Sequence, residues 1–485
     1  MEAAHADLDF SKVLETADKA LREGDWPAGR RGYESVLEKD PDNLDAKVGI
    51  EFIEFLEGGR KSRFYFPIEG TPKELWEERF ANEALNKEEF ELGQTRLRSF
   101  PSTCHIEHTT RCNFYCPHCT KGYDPYVATD LPREVIDKAL DSLLPHLITA
   151  DLTGFGEPTV GSQYGHIMKR LTQMGVMPQM NTNTSTLGVP HIELLVRSQA
   201  RVTLSIDGAT RETFEAIRAG GDWDRLVYSL HAIRRIRGIY GGLGWFAVTF
   251  VAMKSNIHEL PEMVRLAKEF GLDQLLVQDY QPMGIRFDEQ SLRNEPLRAN
   301  KFFDEAERLA EDLGVSLVLP PRYAEGVPSP VESLPKRFLS SKRLFPKRKR
   351  FPQRCPHPWK NARVKYDGEV TPCCFSMSAM GDLKSQEFGQ IWNGRRYRFF
   401  RWRVHTFFPP PECRLCHVYE GINQGNPGNV KLQEGMLLKA LYFLETGFAR
   451  WFERLRKGKE PPANFFRGKP LKPGATPSPT SQERA

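Results

Sequence analysis

Three cysteines, Cys112, Cys116 and Cys119, stand in the string CNFYCPHC with spacings of four and three residues. On one tight loop their thiolates can reach three irons of a cubane cluster, because soft sulfur ligands suit iron–sulfur centres. The fourth iron then lacks a protein ligand. An open metal position is where substrate chemistry happens, whereas a purely structural site is closed. Cys104, His105, His108 and His118 are the neighbours able to close it, and a zinc site completed by a histidine is an alternative the cysteines alone leave open.

A second group comprises Cys355, the pair Cys373–Cys374, and Cys413 with Cys416 in ECRLC. Between the first two lies YDGEVTPCC, which reads as a β-hairpin turning at Asp367–Gly368 and carrying a ligand to its far end. The two-residue gap of ECRLC fits adjacent corners of a metal centre. Four thiolates close a site, so this one suits structure or electron transfer. A zinc ribbon is the alternative.

The elements that must position these groups follow from periodicity. Strands are expected at 104–109, 148–154, 176–183, 201–207, 245–253 and 274–280, separated by amphipathic stretches such as PREVIDKALDSLL and LPEMVRLAKEFG. Six strand–helix units, with polar and glycine residues gathered at the strand ends, predict an α/β fold: a partial (β/α)6 TIM-type barrel over 101–320. Residues 1–60 read as helical and resemble one tetratricopeptide repeat plus one helix. A repeat array needs about three units, so this segment is expected to pack on the rest of the chain. Residues 61–100 read as a helical linker. The stretch 321–354 is a Pro-rich linker with eight basic residues and no acid between Lys336 and Arg350. A small α+β cluster-binding module is expected over 355–420, then a C-terminal amphipathic helix and disordered tail over 421–485.

The 485 residues carry net charge +5, 40 % hydrophobic residues and nine cysteines, ample for a buried core and several domains. No apolar run approaches the roughly 20 residues of a membrane span, and MEAAHADLDF lacks the order of a signal peptide, so a soluble cytoplasmic protein is expected. Clustered thiols in a reducing compartment point to metal or reactivity rather than disulfides.

CxxxCxxC after the first strand of a partial barrel resembles the radical S-adenosylmethionine (radical SAM) enzymes. Gly154, Phe155, Gly156, Glu157 and Pro158 form GFGEP after the second strand, similar to the family's GGEP segment, whose backbone holds the methionyl amino group of SAM; Phe155 for Gly is the departure. His118 sits where the family places an aromatic against the adenine. Asn181 and Asn183 end the third strand, and Ser205 and Asp207 end the fourth in SIDGATRETFEAIRAGG, where the resemblance makes Ser205 and Arg218 candidates for the SAM carboxylate and ribose. Asp207 could equally cap the following helix. Cys104, on the first strand, reads as a buried filler. The order of GFGEP and SIDG favours iron over zinc.

CPHPWKNARVKYDGEVTPCCF, MGDL, IWNGRRYRFFRWR and CRLC resemble a SPASM or twitch module with one auxiliary 4Fe–4S cluster, with Cys355, Cys373, Cys413 and Cys416 as ligands and Cys374 a spare thiol or alternate. The resemblance implies that SAM is cleaved reductively at the barrel's 4Fe–4S cluster, with a flavodoxin- or ferredoxin-type reductant. The resulting 5′-deoxyadenosyl radical then oxidises or cross-links a peptide or protein, the auxiliary cluster carrying electrons. Dehydrogenation of a small alcohol, sugar or aminocyclitol is the alternative within the family. From another class stands a non-enzymatic zinc module binding nucleic acid; nucleic acid is not expected, because aromatic residues are not interleaved with the basic run. The helix LLKALYFLETGFARWFERLRK is expected to pack on the barrel or module rather than touch a membrane surface. The sequence names no catalytic acid or base.

Overall fold

Alternating apolar runs and amphipathic stretches become parallel strands and crossover helices in the structure, a computed structural model that describes residues 10–58, 73–119, 121, 127–280, 289–323, 355–376, 378–404, 410–414 and 416. The chain divides into units Met1–Val430 and Lys431–Ala485, and every described residue belongs to the first. Most of the basic linker and all of the expected C-terminal helix and tail lie outside the described residues.

Three helices open the chain: α1 (Ser11–Arg22), α2 (Trp26–Leu37) and α3 (Leu44–Glu57). Asp25 and Asn43 cap the second and third by accepting from the backbone N–H of Ala28 and Ala46. A Cβ at Gly32 would stand 2.8 Å from the Ala17 Cβ, so glycine lets α1 and α2 meet closely. α4 (Lys73–Glu91) follows.

The barrel then runs β1 (Thr103–Ile106), α5 (Arg133–Leu143), β2 (Thr149–Asp151), α6 (Tyr164–Gln173), β3 (Met177–Thr182), α7 (Val189–Arg197), β4 (Arg201–Ser205), α8 (Arg211–Ile217), α9 (Trp223–Ile239), β5 (Trp245–Ala252), α10 (Leu260–Glu269), β6 (Gln274–Asp279), α11 (Pro296–Leu313) and β7 (Leu317–Val318). All six expected strands are present and parallel, with the short β7 added. One face is apolar and buried under helices, with Ile106, Ala150, Met180, Leu204 and Val248 each at most 1 % exposed. The opposite face aligns polar residues by register, His105 with Asp151, Asp151 with Gln179, and Ser205 with Thr249. Alternation in a strand puts one face in the core and leaves the other for chemistry.

Several strands end sooner than the apolar pattern suggests. The stretch 104–109 is strand only to Ile106, and 148–154 only over Thr149–Asp151. The residues lost from the C-terminal ends, Glu107–Thr109 and Leu152–Gly154, turn into the site loops.

The C-terminal part contributes α12 (His357–Lys360), β8 (Asn361–Val364), β9 (Glu369–Thr371), β10 (Gly381–Asp382), α13 (Phe388–Trp392), α14 (Arg395–Val404) and α15 (Pro411–Arg414). The expected hairpin forms, with Gly368 at φ +85° in its turn. It is not a freestanding module. β8 pairs parallel with β1, so the strand order β10-β9-β8-β1-β2-β3-β4-β5-β6-β7 makes one open sheet, as in a partial barrel.

The segment read as a linker is a wedge. Arg79 on α4 is fully buried and donates to the carbonyls of Leu144 and Met174 at 2.9 and 2.8 Å, satisfying the C-terminal ends of α5 and α6. Asn86 donates to the carbonyl of Trp359 in α12, and Leu97 N–H donates to Asn393 Oδ1 at 2.8 Å. At the other end α1 and α3 lie against α9, as expected for a segment too short to stand alone. Arg235 of α9 pairs with Asp18 at 2.6 Å and Asp45 at 3.2 Å. Among the described residues no helix is long and apolar enough to cross a membrane.

Candidate active site

Cys112, Cys116 and Cys119 lie, half-buried, on the loop that leaves β1. The loop is pinned from several sides. Tyr115 N–H donates to the Ala219 carbonyl at 2.8 Å, and Lys121 Nζ donates to the Cys112 carbonyl at 3.0 Å. Gly220, at φ +92°, lets the 218–221 turn lie against Asn113.

GFGEP lies directly on this loop. Glu157 N–H donates to the Arg111 carbonyl at 2.7 Å, and a Cβ at Gly156 would stand 2.5 Å from that same oxygen. Gly154 fits against Glu107, whose Oε1 accepts from Phe155 N–H at 2.9 Å. Pro158 begins a short turn, and its carbonyl accepts from His108 Nε2 at 3.0 Å.

The Glu157 carboxylate is turned inward, 3 % exposed. It accepts from Thr182 Oγ1 at 2.8 Å, Asn183 N–H at 2.6 Å and Thr159 Oγ1 at 2.6 Å. Burial pushes its pKa up, against the pull of these hydrogen bonds. Its side chain is therefore consumed in joining the turn to the end of β3.

Two side chains aim at sulfur. Asn183 Nδ2 is 3.8 Å from Cys112 Sγ while donating to Asn113 Oδ1 at 3.0 Å, and Arg218 Nη1 is 3.9 Å from Cys116 Sγ. Arg218 Nε also pairs with Asp207 Oδ2 at 2.7 Å, and His118 Nε2 stands 3.4 Å from the same oxygen. Asp207 Oδ1 accepts from Val251 N–H at 2.7 Å. Burial raises the Cys112 and Cys116 thiols, and Arg218 pulls the latter back; burial lowers His118 to about 4, so its ring is neutral near pH 7.

These contacts bring Cys112, Cys116, His118, Asn183, Asp207 and Arg218 into one neighbourhood. Ser205 is half-buried at the end of β4, and Asn181 is exposed, its N–H bound to Thr153 Oγ1 at 3.0 Å. The helix-cap alternative for Asp207 is corrected, because Thr210 caps α8 by accepting from Thr213 N–H. Three of the four neighbours considered as a closing ligand are committed elsewhere: Cys104 is buried at 1 % exposure, His105 pairs with Asp151 at 3.4 Å, and His108 binds Pro158.

At the second site, Cys355, Cys373, Cys374, Cys413 and Cys416 line one cavity with apolar walls from Pro358, Phe375 and Phe400. Burial pushes Cys355 up to about 11 and Cys373 to about 12, and raises Cys374 and Cys413 as well. Glu412 Oε1 accepts from Ser376 Oγ at 3.0 Å and Ser378 Oγ at 2.7 Å, tying ECRLC to the hairpin. Among the described residues, no three His, Cys, Asp or Glu side chains stand in the geometry of a single-ion site. Thiols held in two groups, with N–H groups directed at two of them in the barrel and apolar walls in the second cavity, are donors of the kind thiolate-ligated clusters use.

Sequence reasoning missed Glu107 and Arg363, which join the two sites. Arg363 of β8 donates to Glu107 Oε2 at 2.8 Å and to the Cys374 carbonyl at 3.1 Å. No local pattern marks either residue; the β1–β8 pairing across the chain puts them together.

Residues 106–275 match the radical SAM superfamily and residues 355–417 match SPASM, an iron–sulfur cluster-binding domain. A tungsten-containing aldehyde ferredoxin oxidoreductase cofactor-modifying protein of Pyrococcus furiosus is 22 % identical over 65 % of this chain and 86 % of its own length. The mycofactocin maturase MftC of Mycolicibacterium smegmatis is 26 % identical over 34 % of this chain, and the match spans 41 % of that maturase. Among solved structures, Streptococcus suis SuiB bound to the precursor peptide SuiA aligns over 72 % of this chain and 78 % of its own, at 13 % identity and TM-score 0.47. With its barrel segment and its C-terminal cysteine module each matched in the order of the chain, the protein carries a radical SAM domain followed by a SPASM iron–sulfur cluster-binding domain.

Proposed function

We propose that the protein cleaves SAM reductively and uses the radical produced to oxidise or cross-link a peptide or protein substrate. The carrying observation is the packing of the three-cysteine loop against GFGEP, with Asn183 and Arg218 directed at the sulfurs of Cys112 and Cys116. In this reading Cys112, Cys116 and Cys119 hold a 4Fe–4S cluster with one open iron, and Cys355, Cys373, Cys413 and Cys416 hold an auxiliary 4Fe–4S cluster. Held by Cys112, Cys116 and Cys119, such a cluster would supply the single electron for reductive cleavage of SAM.

The chain's own residues prepare this chemistry. The backbone of Gly154, Phe155 and Gly156 offers the surface for the methionyl group. Neutral His118 offers a flat ring for the adenine, and Ser205 and Asn181 offer hydroxyl and amide groups at the strand ends. Arg218 and Asn183 stabilise thiolate charge through N–H groups directed at sulfur, and Asp207 fixes the Arg218 guanidinium. The polar sheet face that carries His105, Asp151, Gln179 and Ser205 offers groups for a substrate to meet.

A peptide substrate is supported by the resemblance to a maturase, and the N-terminal helices offer a docking element. The second reading is dehydrogenation of a small alcohol, sugar or aminocyclitol; a relative that modifies a cofactor rather than a peptide keeps a non-peptide substrate in view. Anaerobic reconstitution with iron and sulfide, followed by SAM and dithionite, tests the proposal. About eight irons per chain and 5′-deoxyadenosine from the unmutated protein alone are expected, against a Cys112→Ala/Cys116→Ala/Cys119→Ala variant. Zinc in place of iron, or nucleoside no higher than in the variant, overturns it. Candidate peptides and polyols assayed side by side decide between the two substrate classes.

A further inference from the structure

Glu107 is wholly buried at the point where β1 turns into the cysteine loop, and a buried carboxylate needs a compensating charge. Among the described residues of the barrel, none forms an ion pair with it. The compensating charge comes from the C-terminal part, where Arg363 on β8, its side chain 11 % exposed, pairs with Glu107 Oε2 at 2.8 Å. The other carboxylate oxygen, Oε1, accepts from Phe155 N–H at 2.9 Å, and Gly154 lies flush against the Glu107 side chain with no room for a Cβ. On its far side Arg363 donates to the carbonyl of Cys374 at 3.1 Å, within the five-cysteine cavity, and its guanidinium stands 5.9 Å from the centre of the Phe155 ring. A continuous polar connection therefore runs from the second cysteine site through Arg363 and Glu107 to the backbone of GFGEP.

We propose that Arg363 and Glu107 are a positioning pair through which the C-terminal cysteine site sets the backbone of GFGEP, and hence the affinity for SAM. This rests on the reading of GFGEP as the SAM-holding segment. Without the guanidinium, the buried carboxylate is left unpaired and must turn toward water or toward other hydrogen-bond donors. Either change alters its hydrogen bond to Phe155 and the seat of Gly154, and so displaces backbone groups that face the ligand. The coupling is reciprocal, so bound SAM also favours the arrangement that holds Arg363 on the Cys374 carbonyl. β8 brings this arginine beside His105 only because it is hydrogen-bonded to β1.

The test measures the SAM dissociation constant of the anaerobically reconstituted full-length protein by equilibrium dialysis, together with iron per chain and unfolding temperature. Arg363→Met is expected to weaken SAM binding about tenfold while iron stays at the unmutated level. Arg363→Lys, which keeps the charge but not the fork, falls between. Adding Glu107→Gln to Arg363→Met brings affinity back toward the unmutated value, because a neutral amide needs no counter-charge. A merely structural role would lower iron content or unfolding temperature and would not produce this recovery. Arg363→Met with full iron and a dissociation constant within about twofold of the unmutated protein overturns the inference. If Arg363→Met does not load iron, the decision passes to Arg363→Lys and the double variant, and unchanged affinity in both overturns it. Failure of the fully loaded, unmutated protein to bind SAM would instead refute the proposed function on which the pair depends.

Discussion

The two cysteine sites differ in what surrounds the sulfurs. In the barrel, three thiols share a short loop whose surroundings are polar: Asn183, Arg218, Asp207 and His118 meet there, and Lys121 holds the loop backbone. In the C-terminal cavity, five thiols drawn from three separate stretches line one space together with Pro358, Phe375 and Phe400. The first arrangement has too few sulfurs to close a four-iron cluster and sets them among hydrogen-bonding groups. The second has enough sulfur to close one and little polar surface to spare. Openness of a metal centre thus follows from ligand count and the polarity of the neighbouring wall rather than from the cysteines themselves.

The sharpest way to break this contrast is to empty one site at a time. The Cys112→Ala/Cys116→Ala/Cys119→Ala variant should lose SAM cleavage to background yet keep about half the iron, measured by 5′-deoxyadenosine formation and iron analysis. Cys355→Ala/Cys413→Ala should do the converse, losing about half the iron and all substrate product while SAM cleavage persists within about tenfold of the unmutated rate. If both variants behave alike, the two sites do not differ in role.

A smaller effect tests the polar support of the open site. Asp207→Ala leaves the Arg218 guanidinium buried without its carboxylate and should destabilise the apoprotein by about 3 kcal/mol, read from a urea unfolding midpoint. Within the closed site, Cys374→Ala should keep the auxiliary iron and Cys373→Ala should lose it. Iron per chain decides, and equal loss in both variants would show that the two thiols exchange as ligands.

The smallest effect lies outside both sites, where acid should affect the docking of the N-terminal helices. Burial alone would raise the Asp45 carboxyl, but hydrogen bonding to His231 and the charges of Arg235 and Arg234 outweigh it and hold the group at about 2, below its ordinary 3.8. A depressed carboxylate contributes stability above its unfolded value that is lost as pH falls through its folded value. About 2 kcal/mol should therefore disappear between roughly pH 4 and 2. Asp45→Asn should flatten that slope in thermal unfolding, and an unchanged slope would remove Asp45 from the docking interface.

How much was legible in advance varied with the range of the interaction. The strands were readable because apolar β-rich runs such as WFAVTFVA need only local patterning, and this one forms β5 with Phe246, Val248 and Phe250 fully buried. Strand ends were read as too long, since Glu107–Thr109 and Leu152–Gly154 leave the ladder to build the site. The cysteine loop and GFGEP were visible as strings, yet the inward turn of Glu157 was not, because its partners Thr182 and Asn183 sit at the far end of β3. The role of α4 was invisible for the same reason. Arg79 makes sense only beside the carbonyls of Leu144 and Met174.

Sequence by itself determined the composition of the two sulfur sites, the alternation of strands and helices, and the loops on which the functional strings fall. All of these depend on neighbours a few residues apart, whose spacing is fixed by covalent geometry. Only the tertiary structure decided that the C-terminal hairpin joins the barrel sheet, that Asp207 holds Arg218 rather than capping a helix, and that Arg363 neutralises Glu107. Those outcomes rest on backbone pairing and buried charge between residues far apart in the chain, where low dielectric makes each unpaired group costly and so selects its partner.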